Sequence, residues 1–129
     1  MIIMKRGNQY YSLEPDKEKN RVYFSIMGQA PNVGAIPNFE QDWKDVVGEV
    51  TEGFTILGDL MEMIPHVKDV EDLNVKVQGW LMQNGCRRVA QLAPLAAMEN
   101  VNSFSEKSGL KEILRAFNSK KVAQMWLDR

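Results

Sequence analysis

The stretch that decides the fold is residues 54–59, which read FTILGD. Apolar side chains stand at adjacent positions here, so both faces of a strand would be apolar. Such strands are typical of parallel sheets, which helices cover on both faces. Helical patterns precede and follow this stretch, as a strand–helix alternation requires. The sequence therefore predicts an α/β domain with a mainly parallel sheet.

The helix before this strand has the clearest pattern in the chain. Asn38 is a typical N-cap residue, and Gln41 three residues later completes a capping-box pattern. Asp42 sits off the apolar side, and Gly53 is the expected helix end. The apolar stripe comprises Phe39, Trp43, Val46, Val47 and Val50. This periodicity predicts a helix packed against a sheet.

Outward from this pair, strands and helices continue to alternate. The further strands are predicted at residues 10–13, 21–27, 88–92 and 112–117. The further helices are predicted from Asp69 to Gly85, over residues 95–108, and from Asn118 or Ser119 to Leu127, with Val122, Met125 and Trp126 facing inward. The order β-β-α-β-α-β-α-β-α predicts a mainly parallel five-stranded sheet with an antiparallel edge strand and four helices.

Length and charge exclude several classes of protein. A chain of 129 residues fits a single domain, here residues 1–129 with residues 1–8 as a lead-in. The 16 basic and 17 acidic residues leave a formal charge of −1, so the basic excess typical of nucleic-acid binding is absent. The sequence predicts no nucleic-acid partner.

The single cysteine and the N-terminal residues bear on the compartment. Cys86 has no second cysteine with which to form an intramolecular disulfide. The apolar run of residues 1–4 stops at Lys5, far short of the roughly 20 residues of a membrane span. We expect a cytoplasmic protein without membrane insertion.

Three segments, taken with this order of elements, resemble the SpoIIAA-like (STAS) fold of sulfate-transporter and anti-sigma-factor-antagonist domains. They are PNFEQDW at 37–43, GFTILGD at 53–59, and RAFN at 115–118 running into AQMWL at 123–127. The resemblance covers residues 10–127. It implies a stand-alone bacterial STAS-like protein of unassigned function.

The resemblance also implies a place for regulation, which this chain alters. In the anti-sigma-factor antagonists, an Asp-Ser pair at the next helix start carries a serine that a partner kinase phosphorylates. The corresponding residues 68–72 read KDVED, with no Ser or Thr between Gly58 and Gly85. Only Asp59 and Asp69 match the pattern, so that switch is absent here. Acidic residues at a helix start are also what the helix dipole favours.

The only histidine, His66, is the one candidate for acid–base chemistry. Asp59, Glu62 and Asp69 are its acidic neighbours in sequence. Without a cysteine or a second histidine among them, we predict no metal and no cofactor. Cys86 starts its strand whereas His66 follows the end of the neighbouring one, so we expect the two at opposite edges of the sheet and no nucleophile–base pair.

A site, if present, is expected where the parallel strands end, because ligands of open α/β sheets collect there. This rim is formed by residues 29–38, 59–69, 93–98 and 117–119. The first segment is long and rich in Pro and Gly, as binding loops are. The candidate ligand- or partner-binding residues are Asn38, Asp59, Glu62, His66 and Asp69.

Three functions fit these features. The leading hypothesis is a non-catalytic STAS-like interaction or regulatory module that binds a protein partner or its own copy through the rim and the second helix. The alternative is a carrier of a small apolar ligand or lipid, related to the CRAL-TRIO domains. The third is a hydrolase that uses His66 with Asp59 or Glu62. A concave pocket between the loop of residues 29–38 and the second helix would discriminate between them.

Overall fold

A computed structural model describes residues 4–107 and 109–129 of the chain. Six strands form one sheet in the order of the sequence. They are β1 (Arg6–Gly7), β2 (Tyr11–Asp16), β3 (Arg21–Gly28), β4 (Thr55–Met63), β5 (Arg88–Leu92) and β6 (Leu114–Phe117). Strand β2 pairs antiparallel with both β1 and β3, and strands β3 to β6 pair in parallel. The predicted α/β architecture is confirmed.

Helices cover both faces of this sheet. They are α1 (Phe39–Val47), α2 (Lys68–Gln83), α3 (Leu95–Lys107) and α4 (Lys120–Leu127), with a short 3-10 turn at Val33–Ala35. Val46 of α1 and Val77 of α2 are buried with Val22 and Ile56 on one face. Trp126 of α4 is buried with Leu57 and other residues on the opposite face. None of the helices in the described residues is both long and apolar enough to cross a membrane.

The sheet has six strands where the sequence predicted five. The additional strand, β1, lies in the predicted lead-in and has only two residues, too few for an alternating pattern. Strand β4 also continues four residues beyond its predicted end at Asp59. A register shift between Ser25 and Met27 in β3 lets that strand pair with Glu62 and Met63. A bulge of this kind leaves no simple mark in the sequence.

Two helices differ from prediction in detail. Helix α1 ends at Val47, with Gly48 as its C-cap, well before the predicted end at Gly53, and the Asn38 side chain forms no capping hydrogen bond. In α4 the predicted inward residues Val122 and Met125 are 50% and 61% exposed. Its buried residues are Ala123, Trp126 and Leu127.

The rotation of α4 follows from a buried arginine at the start of β3. Arg21 is 2% exposed. Its Nε donates to Thr55 Oγ1 at 2.8 Å, Nη2 donates to Asp128 Oδ1 at 2.8 Å, and Nη1 donates to the Gln124 side chain. Since Gln124 and Asp128 lie one turn apart, both must face the sheet. The guanidinium therefore fixes α4 to two strands.

Two further arginines satisfy the end of α4. Arg87 donates to the carbonyl of Leu127 and Arg88 to that of Trp126, each at 2.8 Å. Cations are favoured at a helix C-terminus, where the last carbonyls lack partners within the helix. We call this end of the molecule, where β3, β4 and β5 begin, the anchor end.

The outer edge of β6 is closed by a side chain of α3. Asn102 donates its amide to the Ala116 carbonyl at 3.0 Å and accepts the Ala116 N–H at 2.8 Å. The side-chain amide thus makes both bonds that a neighbouring strand would make to this residue. Covering a sheet edge in this way removes a template for pairing with other chains.

Candidate functional site

At the rim, the loop of residues 29–38 lies against the connection from β4 to α2. Gln29 Nε2 donates to the Pro65 carbonyl at 2.5 Å. Asp69, in the first turn of α2, accepts the backbone N–H of Val33 at 3.2 Å. Both contacts are exposed to solvent, where single hydrogen bonds contribute little net free energy. The polar contacts between the loop and the start of α2 are therefore weak, and the buried side chains of Ala30 and Ile36 also hold the loop.

A small cavity lies between this loop and α2, the place where a pocket would discriminate between the three functions. Its apolar walls are Ile26, Ala30, Ile36, Phe39 and Val70, and its polar walls are Tyr10, Tyr11, His66 and Asn74. The cavity volume is about 20 Å³, enough for about one water molecule. Pockets for small ligands are typically about 300–1,000 Å³. A lipid chain would fit only after the loop moved away.

His66 lines this cavity and is half-buried. Its Nδ1 is buried and has no hydrogen-bond partner in the part of the chain that the structure describes. Burial lowers the pKa of the imidazole, an effect that the charge of Glu71 partly opposes. The side chain is therefore a neutral imidazole near pH 7. No hydrogen bond among the described residues joins it to Asp59 or Glu62, the carboxylates of the hydrolase hypothesis.

A buried hydrogen bond beside the cavity corrects one expectation. Asp42, which the sequence placed off the apolar side of α1, is only 9% exposed. Tyr11 on β2 donates its hydroxyl to Asp42 Oδ2 at 2.5 Å. Burial, and then this carboxylate, raises the pKa of Tyr11, which remains a donor. The pairing of β2 with α1 brings these two residues together, and nothing in the local sequence indicates it.

The other candidate residues lie away from the cavity. Asn38 precedes α1 and is exposed. Asp59 and Glu62 are exposed on β4, where Asp59 Oδ1 accepts the N–H of Met61 at 3.1 Å. The structure thus brings His66 and Asp69 to the loop of residues 29–38. Asp59 and Glu62 form a separate acidic edge.

That acidic edge belongs to a strand end that lacks a neighbour on one side. Strand β5 ends at Leu92, which pairs with Asp59. Residues 60–63 of β4, which we call the overhang, pair only with β3 in the described part of the chain. Met61 is 47% exposed, and Ile64 just after the strand is 53% exposed. The rim therefore presents apolar and acidic side chains together.

Metal sites and reactive thiols each require particular arrangements of the surrounding side chains. Within residues 4–107 and 109–129, no three His, Cys, Asp or Glu side chains converge as metal ligands. Burial raises the pKa of the Cys86 thiol to about 12. A thiol with so high a pKa is a poor nucleophile, because the thiolate is the reactive form. Cys86 packs against the core of the α1–α2 face.

A groove that the sequence did not indicate lies at the anchor end. It has a volume of about 290 Å³ and runs between the C-terminal halves of α1 and α2. Lys44 and Trp80 line it, with the ammonium 5.9 Å from the ring centroid. Because residues far apart in sequence form this groove, no local motif could have predicted it.

No protein-family model matches the sequence, and no curated protein matches it. Two solved structures are similar in fold. An uncharacterized protein of the DUF3478 family with a SpoIIAA-like fold, from Shewanella loihica PV-4, has a TM-score of 0.69 at 14% identity, over 96% of this chain and 98% of that one. The chain has the SpoIIAA-like fold. An anti-sigma factor antagonist from Mycobacterium paratuberculosis has a TM-score of 0.55 at 14% identity, over 95% of this chain and 98% of that one.

The resemblance to SpoIIAA-like proteins is therefore confirmed as a resemblance of fold. Both likenesses extend over nearly the whole chain, with the same low identity. Function resides in a site rather than in a fold, and SpoIIAA-like architecture alone assigns none. The side chains of the rim must carry any functional argument.

Proposed function

We propose that this chain is a non-catalytic interaction module of the SpoIIAA-like type, which binds a protein partner at its rim. The observation that carries the proposal is the contrast between the surface of the rim and its interior. Val33, Met61 and Ile64 are 39–53% exposed there, whereas the cavity below holds about one water molecule. A contiguous apolar patch rimmed by polar residues marks a protein-binding surface, and we propose that these three side chains form such a patch.

The chemistry of the candidate residues supports a binding role over a catalytic one. A hydrolase needs a base within hydrogen-bond reach of the group it activates, oriented by a third group. His66 has a buried Nδ1 with no orienting carboxylate among the described residues. Cys86 is held as a thiol by burial.

The start of α2 supports a module that binds without a phosphorylation switch at this place. The resemblance implies a phosphorylated serine near this helix start in anti-sigma-factor antagonists, and residues 59–84 contain no Ser or Thr. Asp69, an acidic residue that needs no modification, lies there instead, and its carboxylate accepts the N–H of Val33. We propose that the rim is permanently in one binding state.

The proposal is tested by comparing captured proteins between surface variants. Cell extract is passed over the wild-type chain, over the double variant Met61→Asp and Ile64→Asp, and over Met125→Asp as a matched control. Met125 is 61% exposed on α4, on the other face of the sheet. We expect a protein that the wild type and the control retain and the double variant loses.

Two results would contradict the proposal. One is a set of captured proteins that is the same for all three forms. The other is an acyl or isoprenoid mass that travels with the purified wild-type chain in native mass spectrometry, which would favour the apolar-ligand carrier. Light scattering over a range of concentrations separates self-association from binding to another protein.

A further inference from the structure

We propose that the overhang of β4 binds an extended peptide segment of a partner as an added strand, with apolar and basic side chains in that segment. This inference rests on the proposed function and specifies the chemistry of the partner. The overhang, residues 60–63, is the part of β4 that continues past the end of β5.

The direction of the backbone groups supports strand addition. Ile64 donates its N–H to the Gly28 carbonyl of β3 at 3.1 Å. Backbone groups alternate in direction along a strand, so the N–H and carbonyl of Met63 point away from β3. The N–H of Met61 is already bonded to Asp59 Oδ1, so Met63 offers the free donor and acceptor of the overhang. In the described residues no strand lies on that side. An unpaired strand edge is a template for pairing with another chain.

The side chains of the overhang indicate which side chains a bound peptide segment would carry. Leu60 and Met63 pack against the core, whereas Met61 and Glu62 are exposed. Asp59 directly before them is exposed as well. An added strand would therefore place apolar side chains against Met61 and basic side chains near Asp59 and Glu62, since opposite charges across strands are favourable.

The same charges argue against a second copy of this chain as the occupant. Pairing two overhangs edge to edge would bring two copies of Asp59 and two of Glu62 along one short ladder. Like charges on facing strands are destabilising. A basic segment from another protein meets no such repulsion.

The test uses the full chain and a defined probe. The probe is a fluorescent heptapeptide of alternating valine and lysine, with blocked termini. We expect saturable binding in fluorescence anisotropy, with slower amide hydrogen exchange at Met63 and shifted resonances over residues 60–64. Two control peptides carry either N-methyl groups on alternate amides or glutamate in place of lysine. We expect each to bind about tenfold more weakly, the change that about 1.4 kcal/mol produces.

A pair of charge-reversal variants checks the role of the acidic edge. Glu62→Lys should weaken binding of the lysine probe by about tenfold, the scale of one charge-assisted contact. Glu18→Lys changes the same charge in the exposed turn between β2 and β3 and should leave binding unchanged. Circular dichroism confirms that both variants are folded.

The outcomes separate this inference from the proposed function. Binding that the N-methyl groups leave unaffected, or that shifts only residues of α2, would overturn strand addition while a protein-binding rim stands. An acidic probe that binds as tightly as the basic one would overturn the assigned charge. Failure of the probe to bind, together with a captured protein that depends on Met61 and Ile64, would overturn the inference alone. Failure of both would overturn both.

Discussion

The two ends of the sheet are built on different principles. At the anchor end, one buried guanidinium joins β3, β4 and the C-terminal segment, and Arg88 and Arg115 lie over the Trp126 ring at 4.9 and 5.3 Å. At the rim, the loop of residues 29–38 is held by three exposed hydrogen bonds and by the buried side chains of Ala30 and Ile36. The polar contacts of the anchor end are thus centred on a buried side chain, whereas those that hold the loop at the rim are exposed to solvent, as is usual for loops on a protein surface.

The largest effect is expected from removing the aromatic core of the anchor end. Trp126→Ala should lower the free energy of unfolding by about 3–5 kcal/mol, as truncation of a buried aromatic residue does. At the rim, Met61→Ala should change it by less than about 0.5 kcal/mol, the usual range for surface substitutions. Urea denaturation measures both. Met125→Ala on the exposed side of α4 serves as the control, and an equal loss in all three variants would remove the contrast between the ends.

A smaller effect is expected from the buried arginine. Arg21→Met leaves the Thr55 hydroxyl and the Gln124 amide without their partner and should cost about 1–3 kcal/mol. Urea denaturation at pH 7 measures this loss. Arg21→Lys keeps the charge, but its donors lie on a single nitrogen that cannot reach all three acceptors spanned by the guanidinium, so it should restore only part of the stability.

The same contact predicts a dependence on acid pH. The hydrogen bond from Arg21, helped by the charges of Arg21 and Lys19, lowers the pKa of Asp128 in the folded chain. Its contribution is therefore complete above the unfolded pKa of about 3.9 and is lost as the pH falls toward the folded value. Urea denaturation between pH 6 and pH 2 should show a shallower acid decline for Asp128→Asn than for the wild type. Equal curves would contradict this contribution.

At the rim, the stability should change at a higher pH. Burial lowers the pKa of His66, so the unfolded chain binds more protons than the folded chain once the pH falls to about 6.5. Stability should then fall as the pH drops through this window, and His66→Gln should remove that slope. The charge of Glu71 raises the pKa of His66 and so limits the effect, and Glu71→Gln should therefore steepen the slope in urea denaturation. If the stability of His66→Gln still falls with pH in this range, another titrating group causes the pH dependence.

The smallest change in global stability is expected from the contact between the loop and α2. Asp69→Ala frees the N–H of Val33 and should lower the free energy of unfolding by less than about 1 kcal/mol. Amide hydrogen exchange at Val33 should nevertheless become faster. Asp69→Asn retains an acceptor oxygen and should exchange more slowly than the alanine variant. Unchanged exchange in Asp69→Ala would show that other contacts hold the loop.

Much of the fold follows from patterns local to each element. Strand β5 has the predicted bounds of Arg88–Leu92, because turns and a proline mark its ends. Ser119 caps α4, one of the two residues predicted for that role. The overhang of β4 escaped prediction, since Gly58 and Asp59 are typical of strand ends and the pairing with β3 depends on a register shift.

The candidate site was harder to predict than the fold, because its walls come from segments that are far apart in the sequence. The sequence placed five polar residues at one rim. In the structure only His66 lines the cavity and only Asp69 bonds to the loop from outside it, while Asn38 is an exposed residue of the loop itself. The polar walls that it missed, Tyr10 and Tyr11, come from an antiparallel strand whose register no local signal specifies. The role of all five residues in binding remains a prediction.

The closure of β6 by Asn102 has a consequence for stoichiometry. A strand that joins a sheet usually offers its own free edge, and assemblies that repeat this step head to tail grow into filaments. Here the side-chain amide of Asn102 bonds to both backbone groups of Ala116, so the outer edge of β6 cannot pair with a strand of another molecule at this residue. A complex formed at the overhang should therefore be finite, with one segment bound per chain.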